Sequence, residues 1–227
     1  MFIFEPMNLY DLFVKPYEAY TTLQIAMEAS ATVFGILSVY FSIKKNIWVY
    51  PTGIISTLLY VYILFNFGLL GDCMINVYYT VMSIYGWILW SKHSKDHIHV
   101  EVSWASKKEW RYGILLFALS IILVTGVYYY KPYIDNEFSM QGASLGLYHL
   151  DWANWLDVIT TSVFLVGMWF MAKRRIENWI FWIIGDFICI PMMIYKGLGI
   201  TSVQYLVFTI MAISGYVSWK KSLRNIY

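Results

Sequence analysis

Asn46-Ile47-Trp48 opens the stretch that decides the fold, because this stretch occurs twice. It continues through Gly53 and a long apolar run to Tyr85-Gly86-Trp87-Ile88-Leu89-Trp90. The second copy runs from Asn178-Trp179 through Gly185 to Gly215-Tyr216-Val217-Ser218-Trp219. The sequence numbers differ by 132 at the Asn and Gly marks and by 129 at the terminal glycines, which predicts a short deletion in the second copy. Duplicated helical units in an apolar chain are typical of transporters, because two similar bundles enclose a site that opens to either side.

The composition places the chain in a lipid bilayer. It is 59% hydrophobic, 20% aromatic and 13% charged, with a mean hydropathy of +0.56. Such values exclude a water-soluble domain, including a soluble nucleic-acid binder. Seven stretches are long and apolar enough to cross a hydrocarbon core of about 30 Å. They are residues 25–43, 47–66, 73–91, 110–130, 153–172, 178–196 and 201–219.

The basic residues predict the orientation. Of the 16 Lys and Arg residues, all but three fall in the loops after spans one, three and five or in the C-terminal tail. The three exceptions are Lys15, Lys131 and Lys196. Because positively charged loops stay in the cytoplasm, we expect the N-terminus outside and the C-terminus inside.

Spans one to three and five to seven therefore share one orientation, with span four as the connector. This predicts an all-α membrane protein of seven helices in a 3+1+3 arrangement of parallel repeats. The expected parts are an N-terminal interfacial segment, the first repeat, the connector with span four, the second repeat and a tail. Their boundaries are 1–24, 25–92, 93–152, 153–222 and 223–227.

Span six carries the residues best suited to bind a ligand. Trp179, Trp182 and Asp186 are spaced by three and four, so they project from one helical face. A carboxylate inside a membrane span costs on the order of 3 kcal/mol unless it meets a partner or a polar cavity. Two indoles and one anion suit a flat organic cation, and Pro191 loosens the same helix next to them. Helix packing remains the alternative role for both tryptophans and for Asp186.

Other polar residues occupy matching places in the two repeats. Glu28 and Asp157 are related by the same offset of 129, which favours a gating or structural role over contact with the ligand. Four further polar residues are expected to complete a binding site at the membrane midplane. Their alternative role is to form hydrogen bonds between helices. These residues are Asn76, Tyr79, Gln204 and Tyr205.

No cofactor or metal is expected. Cys73 and Cys189 lie in or beside apolar spans, where cysteine acts as a small apolar side chain. His93, His97 and His99 share a polar loop and are interpreted as solvated.

The chain resembles the Pnu-type vitamin transporters. The residues that carry this resemblance are Glu177-Asn178-Trp179-Ile180-Phe181-Trp182, the closing Asp186, Tyr85-Gly86-Trp87 with Trp90, and Gly215 to Trp219. The resemblance implies a SWEET-like fold, a homotrimer in the bacterial cytoplasmic membrane, and facilitated diffusion of a vitamin that a cytoplasmic kinase then traps. Nicotinamide riboside carriers close the motif with Asn where this chain has Asp186. We therefore expect thiamine as the substrate, with nicotinamide riboside as the alternative.

Three other functions remain open at this point. These are a receptor that binds the vitamin without moving it, an ion-coupled symporter that uses Glu28 or Asp157, and an intramembrane enzyme with paired acids. The enzyme is disfavoured, because aspartyl chemistry needs two carboxylates at close range and these start on opposite ends of antiparallel spans. The sequence has no Gly-rich run followed by Lys-Ser/Thr, which fits passive transport.

Overall fold

The computed structural model describes residues 8–18, 20–66, 70–94, 98–136, 138–142 and 144–224, with residues 70–72 described by their backbone. Within this part the chain is helical. The helices are α1 Leu9–Phe13, α2 Thr22–Ile43, α3 Val49–Asn66, α4 Leu70–Ser91, α5 Lys107–Ile134, α6 Trp152–Ala172, α7 Asn178–Tyr195 and α8 Gly199–Arg224.

Helices α2 to α8 coincide with the seven predicted spans, and every boundary agrees within five residues. The shortest have 18 residues, or about 27 Å at 1.5 Å per residue. Among the described residues, six of them are long and apolar enough to cross a membrane, namely all except α4. The expectation of an all-helical membrane protein is therefore confirmed.

Three of these helices begin with a reciprocal cap in which a side chain and a backbone N–H satisfy each other. The pairs are Thr21 with Gln24, Ser106 with Glu109, and Asp151 with Asn154. Such caps satisfy backbone donors that the first turn of a helix leaves without a partner. They fix where α2, α5 and α6 start.

The long helices pack as two sequential triplets. Helix α3 lies against both α2 and α4, and α7 lies against both α6 and α8. Helix α5 packs on α6, and the two triplets meet where α2 contacts α8 and where α4 contacts α6. The repeated sequence thus forms two similar units side by side.

Equivalent residues of the two units differ by 129 in residue number at the turn that follows the first helix of each unit. Lys45 and Arg174 both adopt a left-handed conformation, with φ of 57° and 60°. Each follows a helix whose last carbonyls accept two backbone N–H groups from the turn, the pattern of a Schellman motif. Helices α3 and α7 share the same offset at both ends, since Val49 matches Asn178 and Asn66 matches Tyr195.

This register corrects the alignment inferred from the sequence. Pairing Asn46 with Asn178, and Gly53 with Gly185, is wrong, and the second copy has no deletion between these helices. The offset of 129 inferred from the terminal glycines holds from the turn onward. Asp186 therefore corresponds to Thr57 in the first repeat.

Two tryptophans connect the triplets, because each donates a hydrogen bond to the other triplet. Trp90 at the end of α4 donates from Nε1 to the Met171 carbonyl at 3.2 Å. Trp219 near the end of α8 donates from Nε1 to the Ser42 carbonyl at 2.8 Å. Both indoles are fully buried, so each repeat closes with a hydrogen bond to the first helix of the other.

Glycines allow the close approach of helices within each triplet. A Cβ at Gly86 would lie 2.4 Å from the Tyr50 ring, and one at Gly215 would lie 2.5 Å from the Trp179 ring. Contacts this short cannot form without movement of the ring. The matching glycines in α4 and α8 are therefore packing residues.

The connector before α5 joins the two turns at one end of the molecule. The backbone of Ile98 and Val100 bonds the turn 44–47, and the backbone of Ser103 bonds the turn 173–176. The buried Glu177 carboxylate accepts the Ala105 N–H at 2.9 and 3.0 Å. This end carries the basic loops that the sequence assigns to the cytoplasm.

An ion pair also ties α5 to this end. Arg175 contacts Glu109 at 2.7 Å, and both side chains are largely shielded. Burial works to raise the pKa of the Glu109 carboxyl, but hydrogen bonds from the Ser106 backbone and from Arg175 outweigh it, so the pKa lies below its ordinary value.

At the opposite end, each of the three lysines contacts an acid. Lys15 pairs with Asp11 at 3.2 Å, Lys131 with Asp135 at 2.7 Å and Lys196 with Asp157 at 2.8 Å. The short helix α1 packs here against the start of α8. Residues 1–7 of the expected interfacial segment, and 225–227 of the tail, lie outside the described residues.

Candidate functional site

The site is organised around Asp186 in the middle of α7. This residue is 4% exposed, and within the described part of the chain no basic group pairs with it and no hydrogen bond to its carboxylate forms. A carboxylate removed from water without a partner is costly, and such groups in membrane proteins mark binding sites or ion paths. Asp186 therefore faces the protein interior rather than lipid, as the sequence requires of a binding group.

Aromatic rings from four helices pack beside this carboxylate. Trp182 of α7 stacks on Phe164 of α6 at 5.4 Å between ring centroids and 27° between planes. Phe164 in turn stacks on Tyr205 of α8 at 6.4 Å and 6°. Tyr79 of α4 lies 6.5 Å from Trp182. We call Tyr79, Phe164, Trp182 and Tyr205 the aromatic cage.

The cage and the carboxylate form one unit. Asp186 is close enough to Tyr79, Tyr205 and Cys189 to interact with each of them electrostatically. Cys189 is 1% exposed and belongs to the same packed cluster as Phe164. Tyr79, on α4, is the cage residue that the first repeat supplies.

The first repeat carries small side chains at most of the equivalent positions. With the offset of 129, Gly35 matches Phe164, Gly53 matches Trp182 and Asn76 matches Tyr205. Thr57, which matches Asp186, is satisfied by a hydrogen bond to Thr80 at 2.7 Å. The duplication has diverged, so that the second repeat holds the anion and most of the rings.

The structure brings together four of the predicted residues, namely Trp182, Asp186 and Tyr205 of the second repeat and Tyr79 of the first. Asn76 and Gln204 are half-buried on α4 and α8. Asn76 is one helical turn from Tyr79, and Gln204 precedes Tyr205.

Trp179 has a different environment. It is 2% exposed and packs edge-on against Trp219 with ring centroids 5.4 Å apart, beneath Gly215. Its buried Nε1 has no hydrogen-bond partner among the described residues. These contacts are those of a packing residue between α7 and α8 of the second triplet.

The predicted gating residues Glu28 and Asp157 are not part of the aromatic cage, although Asp157 is close enough to Tyr205 and Cys189 to interact with them electrostatically. Glu28 accepts a hydrogen bond from the Tyr17 hydroxyl at 3.2 Å. Asp157 accepts one from Tyr128 at 2.7 Å and pairs with Lys196, which joins α6 to α5 and to the turn between α7 and α8. Asp157 is therefore neutralised by Lys196 rather than sharing a proton with Asp186.

Pro191 lies inside α7, one turn beyond Asp186. Because proline has no N–H, the Phe187 carbonyl lacks its usual helical donor. The adjacent Ile190 carbonyl accepts the Ser202 hydroxyl of α8 at 3.0 Å. This links the weakened part of α7 to its neighbour.

Sequence reasoning missed Phe164 and Cys189 as members of the site. Both are apolar residues in apolar spans, and nothing in their spacing separates them from packing residues. Only the crossing of α6, α7 and α8 places them beside Asp186. Among the described residues, no three His, Cys, Asp or Glu side chains cluster as metal ligands would, and His97 lies outside that part.

Comparison with known proteins agrees with this architecture. The family described as nicotinamide mononucleotide transporter matches residues 25–221. The nicotinamide riboside transporter PnuC of Escherichia coli (strain K12) is 24% identical over 209 residues, covering 88% of this chain and 87% of its own. The protein of the same name from Neisseria mucosa is 28% identical over 208 residues, covering 86% and 72%. The riboflavin/roseoflavin transporter RibM of Streptomyces davaonensis is 19% identical, covering 82% and 81%.

A solved structure is similar over the same region. The crystal structure of the vitamin B3 transporter PnuC is 27% identical, with a TM-score of 0.62, and the match covers 88% of this chain and 83% of that one. These relatives are transporters, which excludes the paired-acid enzyme and places the chain as a multi-pass protein in the bacterial inner membrane. Because the family model matches residues 25–221, nearly the whole length, the chain belongs to the nicotinamide mononucleotide transporter family of membrane transporters.

Proposed function

We propose that the protein carries nicotinamide riboside across the membrane by facilitated diffusion. The observation that carries the proposal is the buried carboxylate of Asp186, which has no basic partner among the described residues and has the aromatic cage beside it. Nicotinamide riboside is a flat pyridinium cation with a neutral ribose. Its positively charged ring would serve as the cationic partner of the Asp186 carboxylate.

Each part of the substrate has a matching group. The pyridinium ring stacks on Trp182 and contacts Tyr79 and Tyr205, since aromatic faces attract cations by about 0.5–2 kcal/mol. Asp186 neutralises the ring charge. The ribose hydroxyls bond Asn76 and Gln204, the half-buried amides beside the cage.

The charge at the site separates this substrate from its phosphorylated form. Nicotinamide mononucleotide adds a phosphate, which makes the molecule a net anion. Asp186 repels that charge, and no basic residue pairs with it in the described part of the chain to compensate. Non-phosphorylated substrates are therefore favoured, and phosphorylation by a cytoplasmic kinase traps them.

Thiamine, which the sequence ranked first, fits the same charge argument because its thiazolium ring is also a flat cation. Asp186, in place of the Asn of nicotinamide riboside carriers, is the residue that favours it. Two relatives above carry the name of a nicotinamide riboside transporter, and none of the relatives described above carries the name of thiamine. Nicotinamide riboside is therefore now the proposed substrate and thiamine the alternative.

The proposed membrane arrangement is seven crossings in a 3+1+3 SWEET-like order, with the N-terminus outside. The single offset between the repeats and the exchanged tryptophans support parallel repeats. The gathering of basic loops at one end, and the pairing of Lys15, Lys131 and Lys196 at the other, support the orientation. A homotrimer is part of this proposal.

The proposed transport cycle rocks the two triplets about the cage. Asp157 with Lys196 closes the outer end, and the connector closes the inner end by bonding both turns. Substrate binding replaces contacts between the aromatic rings with contacts between the rings and the substrate. The substrate-bound state and the closed empty state are therefore similar in energy. No ion is required for this exchange.

Transport is tested with purified protein in vesicles and radiolabelled nicotinamide riboside. The expected result is uptake that stops at equal concentrations on both sides, is independent of proton and sodium gradients, and is blocked by unlabelled nicotinamide riboside but not by nicotinamide mononucleotide. Accumulation against a gradient would make the protein a symporter. Binding without net flux would make it a receptor, and stronger competition by thiamine would restore thiamine as substrate.

A further inference from the structure

Phe164 occupies an unusual place in the cage. Its ring contacts that of Trp182 at 5.4 Å and 27° between planes, and that of Tyr205 at 6.4 Å and 6°. A flat ligand ring held by these two aromatic side chains would make the same pair of contacts. Here a side chain of the protein makes them.

The fit of Phe164 depends on Gly185, the residue before Asp186. A Cβ at Gly185 would lie 2.3 Å from Cε1 of the Phe164 ring, so only glycine allows the ring to lie flat on α7 at this point. Phe164 is 8% exposed and Asp186 4%, so the ring and the carboxylate are closed off together. Entry of any ligand ring requires the Phe164 ring to leave.

The first repeat shows that the fold does not need an aromatic ring at this position. Its equivalent residue is Gly35, where an added Cβ would meet Ser56 at 3.2 Å and Phe208 at 3.9 Å. The same crossing of helices therefore packs there without a side chain. A function specific to the second repeat explains the ring better than packing does.

We propose that Phe164 is an aromatic plug that fixes the size of the ring admitted to the site. It fills the place between Trp182 and Tyr205 when the site is closed, and it swings aside when a flat cation enters. This inference rests on the proposed function for the identity of the substrate, but not for the movement of the plug. Removal of the ring leaves a wider space between the two aromatic faces, and larger flat rings are then accepted.

The movement is tested with the cysteine inside the cluster, without any substrate. In a Cys73→Ala background, Cys189 is the remaining thiol, and it is 1% exposed. Its rate of reaction with methanethiosulfonate ethylammonium, a small cationic thiol reagent, reports how often the cage opens. Phe164→Ala is expected to raise this rate by about tenfold, the change that accompanies loss of two aromatic stacking contacts.

Phe181→Ala is the matched control. Its ring also stacks on a phenylalanine, Phe170, at 5.4 Å and 16°, but on the side of α7 that faces α5. This variant is expected to leave the labelling of Cys189 unchanged. Phe164→Leu, which keeps much of the volume but not the ring, serves as a second variant that folds more readily and gives a smaller increase.

The limit on ring size is tested by measuring the uptake of riboflavin relative to that of nicotinamide riboside. This ratio is expected to rise about tenfold in Phe164→Ala, which is at the low end of the effect of a change in pocket size. Equal labelling in the Phe164 and Phe181 variants overturns the plug, whatever is transported. Faster labelling in Phe164→Ala alone, in a protein that fails to carry nicotinamide riboside, sustains the movement and removes the proposed substrate. Selective labelling with an unchanged uptake ratio overturns the role in ring size.

Discussion

Replacement of Asp186 by Asn separates a binding role from a structural one. The substitution keeps the size of the side chain and removes the charge from a residue that is 4% exposed and has no ion-pair partner in the described part of the chain. If the substrate cation is the partner of Asp186, the variant loses a buried charge pair. If Asp186 has a structural role instead, folding suffers and binding does not.

The expected magnitudes follow from this environment. Loss of one member of a buried, charged pair costs about 2–5 kcal/mol, and Asn retains one acceptor oxygen, so the low end of about 2 kcal/mol applies. This corresponds to a dissociation constant for nicotinamide riboside about 30-fold higher. Without substrate, Asn avoids the cost of desolvating or protonating a buried carboxylate that has no partner, so the fold is expected to gain stability.

The assay is calorimetric titration of purified protein with nicotinamide riboside, paired with thermal unfolding in detergent. Asp186→Asn is expected to bind about 30-fold more weakly and to melt at a higher temperature without ligand. Asp135→Asn is the control, because it also removes a carboxylate, but an exposed one that pairs with Lys131: stability falls by up to about 1 kcal/mol and binding stays the same. An unchanged dissociation constant in Asp186→Asn, with a lower melting temperature, would refute the proposed site.

Three further predictions concern the surroundings of the site. Trp182→Ala is expected to weaken binding of nicotinamide riboside by about tenfold. Both tryptophans pack against the core, so both Ala variants lose stability, but Trp179→Ala, at a residue 2% exposed, costs more, about 3–5 kcal/mol. Titration and thermal melts of both variants check this, and the reverse pattern would exchange their roles. Gly215→Ala places a Cβ 2.5 Å from the Trp179 ring and is expected to lower stability by about 1–3 kcal/mol, seen as an earlier melt in detergent; an unchanged melt contradicts the packing role. Glu109 has a lowered pKa, so its contribution through Arg175 is present at neutral pH and is lost as pH falls through that pKa; Glu109→Gln is expected to flatten this acid-side loss of stability, and an equal loss in the variant assigns it to other groups.

The sequence predicted the helices well because the bilayer limits what a chain can form. A span must satisfy its own backbone hydrogen bonds, so about 20 apolar residues predict a helix with little ambiguity. The seven predicted stretches match α2 to α8 for this reason. The buried acid was also predictable, since a carboxylate such as Asp186 is costly in an apolar span unless it serves a purpose.

The register of the repeat was not predictable from residue identities. Asn and Gly recur by chance, and pairing Asn46 with Asn178 gave an offset of 132. The turns at Lys45 and Arg174 have the same left-handed backbone, with a lysine before and an isoleucine two residues after it in both, which fixes the offset at 129. Backbone hydrogen bonds preserve the register after the side chains have diverged.

The sequence by itself determined that this is a helical, duplicated membrane protein with one expensive acid in its sixth span. Only the tertiary structure decided which aromatic residues surround that acid. Trp179 and Trp182 lie on one face of one helix, yet Trp179 packs against Trp219 and Trp182 against Phe164. Helical periodicity fixes the direction of a side chain, whereas its neighbours depend on where other helices cross, and those crossings are set by glycines and by contacts between distant parts of the chain.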